Sequence, residues 1–207
     1  MCINQSCLQM ALSATFYLVS TPLYVFFLFT LIHKRRTDER VASPFFTLCI
    51  SIGVTDLTAA FEHWFNLRIR QLGYFRGFYK AIEPVTTFYH VSFVHALLLS
   101  QVLGLLFLTL NRFTAVVVPL RHKKVWEGGK LLKVVIACQY VIPLLIYMPQ
   151  CPLHGGHYES VNGSDYLFWV RHEKANAVPL FIISSSLTGV ATVLCTIMNA
   201  AQELARF

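Results

Sequence analysis

From Val85 to Leu110 the chain runs for 26 residues, VTTFYHVSFVHALLLSQVLGLLFLTL, without an Asp, Glu, Lys or Arg. A helix of that length and composition crosses a hydrocarbon core of about 30 Å. The run stops abruptly at Asn111-Arg112-Phe113 and continues as TAVVVPLRHKKVW to Trp126. An Arg at the exit of such a helix sits where headgroups and water begin, so its charge stays out of the hydrocarbon. Whatever the chain does has to accommodate this helix and the basic turn behind it.

Composition agrees with a membrane reading. Of 207 residues, 56% are hydrophobic and only 13% charged, with a mean hydropathy of +0.56. Soluble domains run near a quarter charged. The formal charge of +7 does not point to nucleic acid, because no RNA- or DNA-binding module accompanies it. Most of the Lys and Arg fall in short segments between apolar runs, where membrane topology accounts for them. The partner so implied is the lipid bilayer.

Taken in order, the apolar runs predict five helices, at about 10–32, 43–61, 85–110, 131–151 and 177–198. The first is too long for a signal-peptide core, and no Lys or Arg precedes it. It ends in His33-Lys34-Arg35-Arg36, which predicts an extracellular N-terminus and a cytoplasmic first turn. On that topology the inner segments 33–42, 111–130 and the tail, with Lys133, carry eleven Lys and Arg. The outer segments 1–9, 62–84 and 152–176 carry six. The inner excess agrees with the positive-inside rule. Asn162-Gly163-Ser164 is a glycosylation sequon in the last outer segment, with Asn162 as acceptor. No repeat, low-complexity tract or separate soluble domain is visible. The expected fold is all-α, a multi-pass transmembrane bundle forming a single membrane domain over 1–207.

Asp56 is the costliest residue of the second run. A mid-membrane carboxylate needs polar partners, and Ser100, Gln101 and Asn199 are candidates on other helices. Two readings stand beside each other: an ion- or switch-related site, and a protonated Asp that glues helices together. His90 and His95 are five apart, whereas zinc on one helix face wants spacings of three or four. His154 and His157 have no acid or Cys at ligand spacing. All four read as loop or core histidines, and no metal or other cofactor is expected. Tyr89, His90 and Phe93 lie in the outer half of their helix and are candidates to line a ligand pocket. Ser184, Ser185 and Ser186 offer hydroxyls to a ligand or bond back to their own helix. Cys49, Cys138 and Cys195 read as small packing residues. There is no GxSxG, Gly-rich phosphate loop or pair of carboxylates at catalytic spacing, so no catalytic residue is assigned and no enzyme expected.

Leu110-Asn111-Arg112-Phe113 with Pro119-Leu120 resembles the end of the third helix of rhodopsin-like G-protein-coupled receptors, which carry Asp-Arg-Tyr there and Pro-Leu some residues on. Ser51 to Leu57, SIGVTDL, resembles the second-helix motif centred on an Asp. The finer similarity, through NRFTAVVVPLRHKKVW and NLRIRQLGYF, is to nematode serpentine chemoreceptors of class gamma or a sister class. The resemblance implies a plasma-membrane receptor for a small-molecule or pheromone-like cue. A heterotrimeric G protein would meet Arg112, Pro119 and Leu120. It also implies seven helices, so five mark a truncated or incomplete member. A non-signalling partner that associates with full-length receptors is the alternative. Asn111 is not the acid the family places before its Arg. Thr86 and Thr87 stand where the family has a Cys, so the usual disulfide cannot form; Cys151 is left to meet Cys2 or Cys7.

Overall fold

The computed structural model describes residues 2–39, 41–70, 75–127, 129–153, 156–160, 167–171 and 178–204. The helices are α1 (Cys2–Thr37), α2 (Pro44–His63), α3 (Arg76–Val117), the short α4 (Pro119–His122), α5 (Lys130–Tyr147) and α6 (Val178–Leu204). A π-helical turn, Trp64–Ile69, prolongs α2; another, Lys123–Glu127, follows α4; a 3-10 turn, Met148–Leu153, follows α5. Five of these helices are long and apolar enough to span a membrane. The architecture is an all-α multi-pass bundle. It carries one addition absent from the sequence reading, an antiparallel hairpin of β1 (Gly156–Ser160) and β2 (Leu167–Arg171), in which Tyr158 pairs with Trp169.

Local chemistry explains the breaks. Pro44 opens α2 at its first position, where the missing N–H costs nothing. Val118 precedes Pro119 and is driven out of the helical region, to φ −134° and ψ 61°, which ends α3 and turns the chain. Gly129 starts α5 at φ 72°, a backbone that side chains disfavour.

The segment 62–84, read from sequence as an outer loop, is largely helical. Hydropathy ends a span at its first charges, whereas here Glu62, Asn66 and Arg70 turn inward and are buried, so the helix carries on. α3 likewise begins at Arg76 rather than near Val85 and reaches about 60 Å in length.

α3 is the hub, packing against α2, α5 and α6, while α1 packs on α2. Two glycines permit the closest approaches. A Cβ on Gly53 would lie 2.5 Å from Leu28 of α1, and one on Gly104 would lie 2.6 Å from Ile52 and 2.8 Å from the Gln139 amide. Small residues serve this purpose at helix interfaces in lipid. Phe26, Phe29, Val190 and Val193 are exposed and face where lipid would lie, as expected of a bundle without a water-facing side at mid-depth.

Candidate functional site

Three polar clusters tie the helices together, and all three use α2. At mid-depth, Asp56 takes one hydrogen bond on each oxygen, from the Tyr24 hydroxyl of α1 at 2.8 Å and from Gln101 Nε2 of α3 at 2.8 Å. Gln101 therefore is the partner of Asp56. Ser100 is buried with its hydroxyl unpartnered, and Asn199 lies elsewhere, beside Arg112. Nearer α5, Gln139 is 0% exposed. It accepts from Ser51 Oγ at 2.9 Å and donates to Thr55 at 3.4 Å, while the Tyr140 hydroxyl donates to the Ser51 carbonyl at 2.8 Å.

The third cluster was not foreseen. Glu62, 5% exposed, meets His90 Nδ1 at 2.6 Å through Oε1 and accepts from Asn66 Nδ2 on its other oxygen. Asn66 also donates to the Tyr89 hydroxyl at 3.5 Å, and Tyr89 meets Phe93 edge-on at 6.0 Å. The expected pocket trio is thus adjacent but unequal: His90 reaches the carboxylate, Tyr89 stands one bond behind it, and Phe93 only packs on Tyr89. The available sequence signal was the spacing of Glu62 and Asn66, four apart and so on one helical face.

Asp56, Glu62, His63, His90 and Gln101, with Tyr17 of α1, line one cavity of about 450 Å³ between α1, α2 and α3. Its remaining wall is aliphatic: Ala59, Ala60, Val94, Leu97 and Leu98. Tyr17 stacks on His63 at 5.9 Å.

The opposite end of α3 is built differently. Arg112 is exposed, its guanidinium 4.7 Å from the Phe45 ring centroid, while neighbouring Asn111 is buried with Nδ2 unpartnered. Arg112 lines a cavity of about 730 Å³ between α3 and α6, with Asn199, Gln202 and Glu203 on the α6 side. Behind it Trp126 pins the basic turn. Its Nε1 donates to Thr114 Oγ1 at 3.0 Å, His122 meets the same hydroxyl at 3.1 Å, and the indole is buried beside Leu48 and Val135. The pinned turn presents Pro119 and Leu120 outward, Leu120 at 91% exposure. Arg35 and Ser43 share a recess with Trp126 and Gly129, so the first basic turn lies at the same end.

At the Glu62 end the hairpin is fastened to α3 without a disulfide. The Tyr158 N–H donates to Glu83 Oε1 at 2.7 Å and its hydroxyl to Thr86 Oγ1 at 2.7 Å, with Arg70 4.5 Å from its ring centroid. Cys151 is buried, its thiol 4.0 Å from Met148 Sδ, and the side chains of Cys2 and Cys7 lie outside the described residues. Ser184 bonds Tyr147 at 2.8 Å and so joins α6 to α5. His95 bonds the Val91 carbonyl of its own helix at 2.8 Å. Asn162 and His154 lie outside the described residues.

The fold is that of an integral membrane helical bundle, with a polar cavity in one half and an Arg-bearing cavity at the other end. The sequence belongs to the family of serpentine type 7TM GPCR chemoreceptors, Srv, whose sequence model matches residues 14–203. Among curated proteins it is similar to serpentine receptor class V-1 of Caenorhabditis elegans, at 29% identity over 141 residues, 66% of this chain. The match covers 44% of that relative's length. Of the two expectations, class gamma or a sister class, it is a sister class, V, that is matched, and class gamma is not supported.

Proposed function

We propose that the chain is a chemosensory receptor of the plasma membrane that converts binding of a small-molecule cue into activation of a heterotrimeric G protein. The N-terminus is extracellular, the cue binds in the half of the bundle that holds Glu62 and His90, and Arg112 faces the cytoplasm. One observation carries the reading: a basic turn locked by Trp126 holds Leu120 almost fully exposed beside the Arg112 cavity. An exposed leucine flanked by Arg121, Lys123 and Lys124 suits a docking surface with an acidic rim and an apolar recess. Arg112, Pro119 and Leu120 are the contacts.

The test is nucleotide exchange on co-expressed G proteins, with surface level read from an N-terminal epitope in intact cells. Arg112→Ala abolishes exchange and Leu120→Asp reduces it at least tenfold, both at unchanged surface staining. Undiminished exchange in Arg112→Ala refutes the coupling surface. An epitope reached only after permeabilisation, with the protein at the cell surface, refutes the topology.

A further inference from the structure

The cavity between α1, α2 and α3 has a chemistry narrow enough to name a ligand class. Asp56 accepts from Tyr24 and Gln101 and Glu62 accepts from Asn66, while His90 Nδ1 meets the other Glu62 oxygen at 2.6 Å. Tyr24, Gln101 and Asn66 are uncharged donors, and among the described residues no Lys or Arg lines the cavity. Two carboxylates at membrane depth are expensive, and a cationic partner offsets that cost. An acceptor is also left over: Asn66 Oδ1, beside Glu62, is buried without a partner. Two carboxylates and a spare amide oxygen make this end of the cavity rich in acceptors.

Volume and wall decide what kind of cation fits. A space of about 450 Å³ is far larger than a bare ion needs and falls within the range of small-molecule pockets, roughly 300–1,000 Å³. Val94, Leu97, Leu98, Ala59 and Ala60 form one side, a surface for hydrocarbon and not for a hydration shell. We propose that this cavity recognises a small organic ammonium ion, its nitrogen at Glu62 within the field of Asp56 and its carbon chain along the aliphatic wall of α3. The proposal rests on the chemoreceptor reading for its purpose, and on the cavity alone for its chemistry.

The full chain in lipid nanodiscs is titrated with hexylammonium chloride, and with hexanol, hexanoate and sodium chloride as comparisons. Tryptophan emission reports occupancy, because Trp64 meets Tyr17 of the cavity wall edge-on at 5.6 Å. Hexylammonium is expected to saturate the signal, and the three comparisons to leave it unchanged. Glu62→Gln, which can still bond Asn66 and His90, weakens binding about tenfold to a hundredfold, the range of a hydrogen bond to a charged group. Ala60→Leu keeps both carboxylates and fills the space, and it abolishes the response. Should Glu62→Gln fail to yield monodisperse protein, Ala60→Leu decides. An equal response to hexanol or to sodium, no saturable response to hexylammonium, or unchanged binding in Ala60→Leu overturns the proposal. The readout is binding, so a failure of G-protein coupling does not imitate any of these results. A receptor that drives nucleotide exchange but never binds hexylammonium sinks the ammonium site alone.

Discussion

Two substitutions at Tyr158 dissect how the β-hairpin is held on α3. Tyr158→Phe removes the hydroxyl that donates to Thr86 at 2.7 Å. Thr86 is not stranded, since its own hydroxyl reaches the Ile82 carbonyl at 3.1 Å and the Glu83 carbonyl at 3.4 Å. The loss is therefore at the low end for a hydrogen bond, about 0.5–1 kcal/mol. The backbone N–H bond to Glu83 and the ring beneath Arg70 survive. Tyr158→Ala removes the ring as well, 6% exposed and packed with Tyr79 among Phe65, Ile69 and Ile82. A large-to-small change at such a site costs about 3–5 kcal/mol. Arg70, whose Nε and Nη1 already lack partners, then loses its aromatic face too. Hydrogen exchange of the 156–160 amides in nanodiscs reads the local opening. The expected acceleration is about two- to fivefold for Phe and several hundredfold or more for Ala. Equal effects of the two changes, or less than tenfold for Ala, would refute the claim that Tyr158 is the fastening.

Three further substitutions probe the rest of the bundle. Gly104→Val drives a side chain into Ile52 and Gln139 and should cost about 1–3 kcal/mol from overpacking alone. Gly189→Ala, with open space around it, should gain up to about 1 kcal/mol from helix propensity; denaturant titration in micelles separates the two by sign. Trp126→Phe keeps the apolar body but removes the donor to Thr114. It should cost about 0.5–1.5 kcal/mol and speed exchange at the 119–127 amides, and no change there would mean the indole N–H does not hold the turn.

Much of this was readable in advance, for identifiable reasons. The charge-free run before Arg112 is a local pattern, and so is the pairing of Asp56 with helix three, because an intramembrane carboxylate narrows its partners to a few polar residues. Gln101 was among those named. Ser100, one residue away and also named, is rotated by about 100° and misses. Glu62 was hidden by the rule that found the helices: charge ends an apolar run, although a charge that finds His90 and Asn66 need not end a helix. The Tyr158 fastening joins residues 72 and 75 apart in sequence, and the Gln139 clasp joins residues 84 and 88 apart. No short-range pattern encodes either. The missing Cys near Thr86 was visible; that a hydroxyl and a carboxylate would hold the outer segment in its place was not.

The polar contacts between helices are concentrated on α2. In lipid there is little hydrophobic drive between helices, so packing and interhelical hydrogen bonds decide which pairs stay together. α2 is bonded to α1 through Asp56 and Tyr24, to α3 through Gln101 and His90, and to α5 through Gln139 and Tyr140. α6 packs on α3 and α5 through Ile183 and Leu187 against Ala96, Leu99 and Tyr147, and Ser184 bonds Tyr147 in that same half of the helix. Toward its other end it borders the open space above Arg112, where Asn199 and Gln202 line the wall. Asn111 adds no charge there to pair with Arg112, which rests on Phe45 of α2 instead. The three α2 clusters do not involve α6, which is held instead by its packing along α3 and by the Ser184–Tyr147 bond. The cue and the G protein proposed above would thus act on opposite ends of α3, the helix on which α2, α5 and α6 all pack.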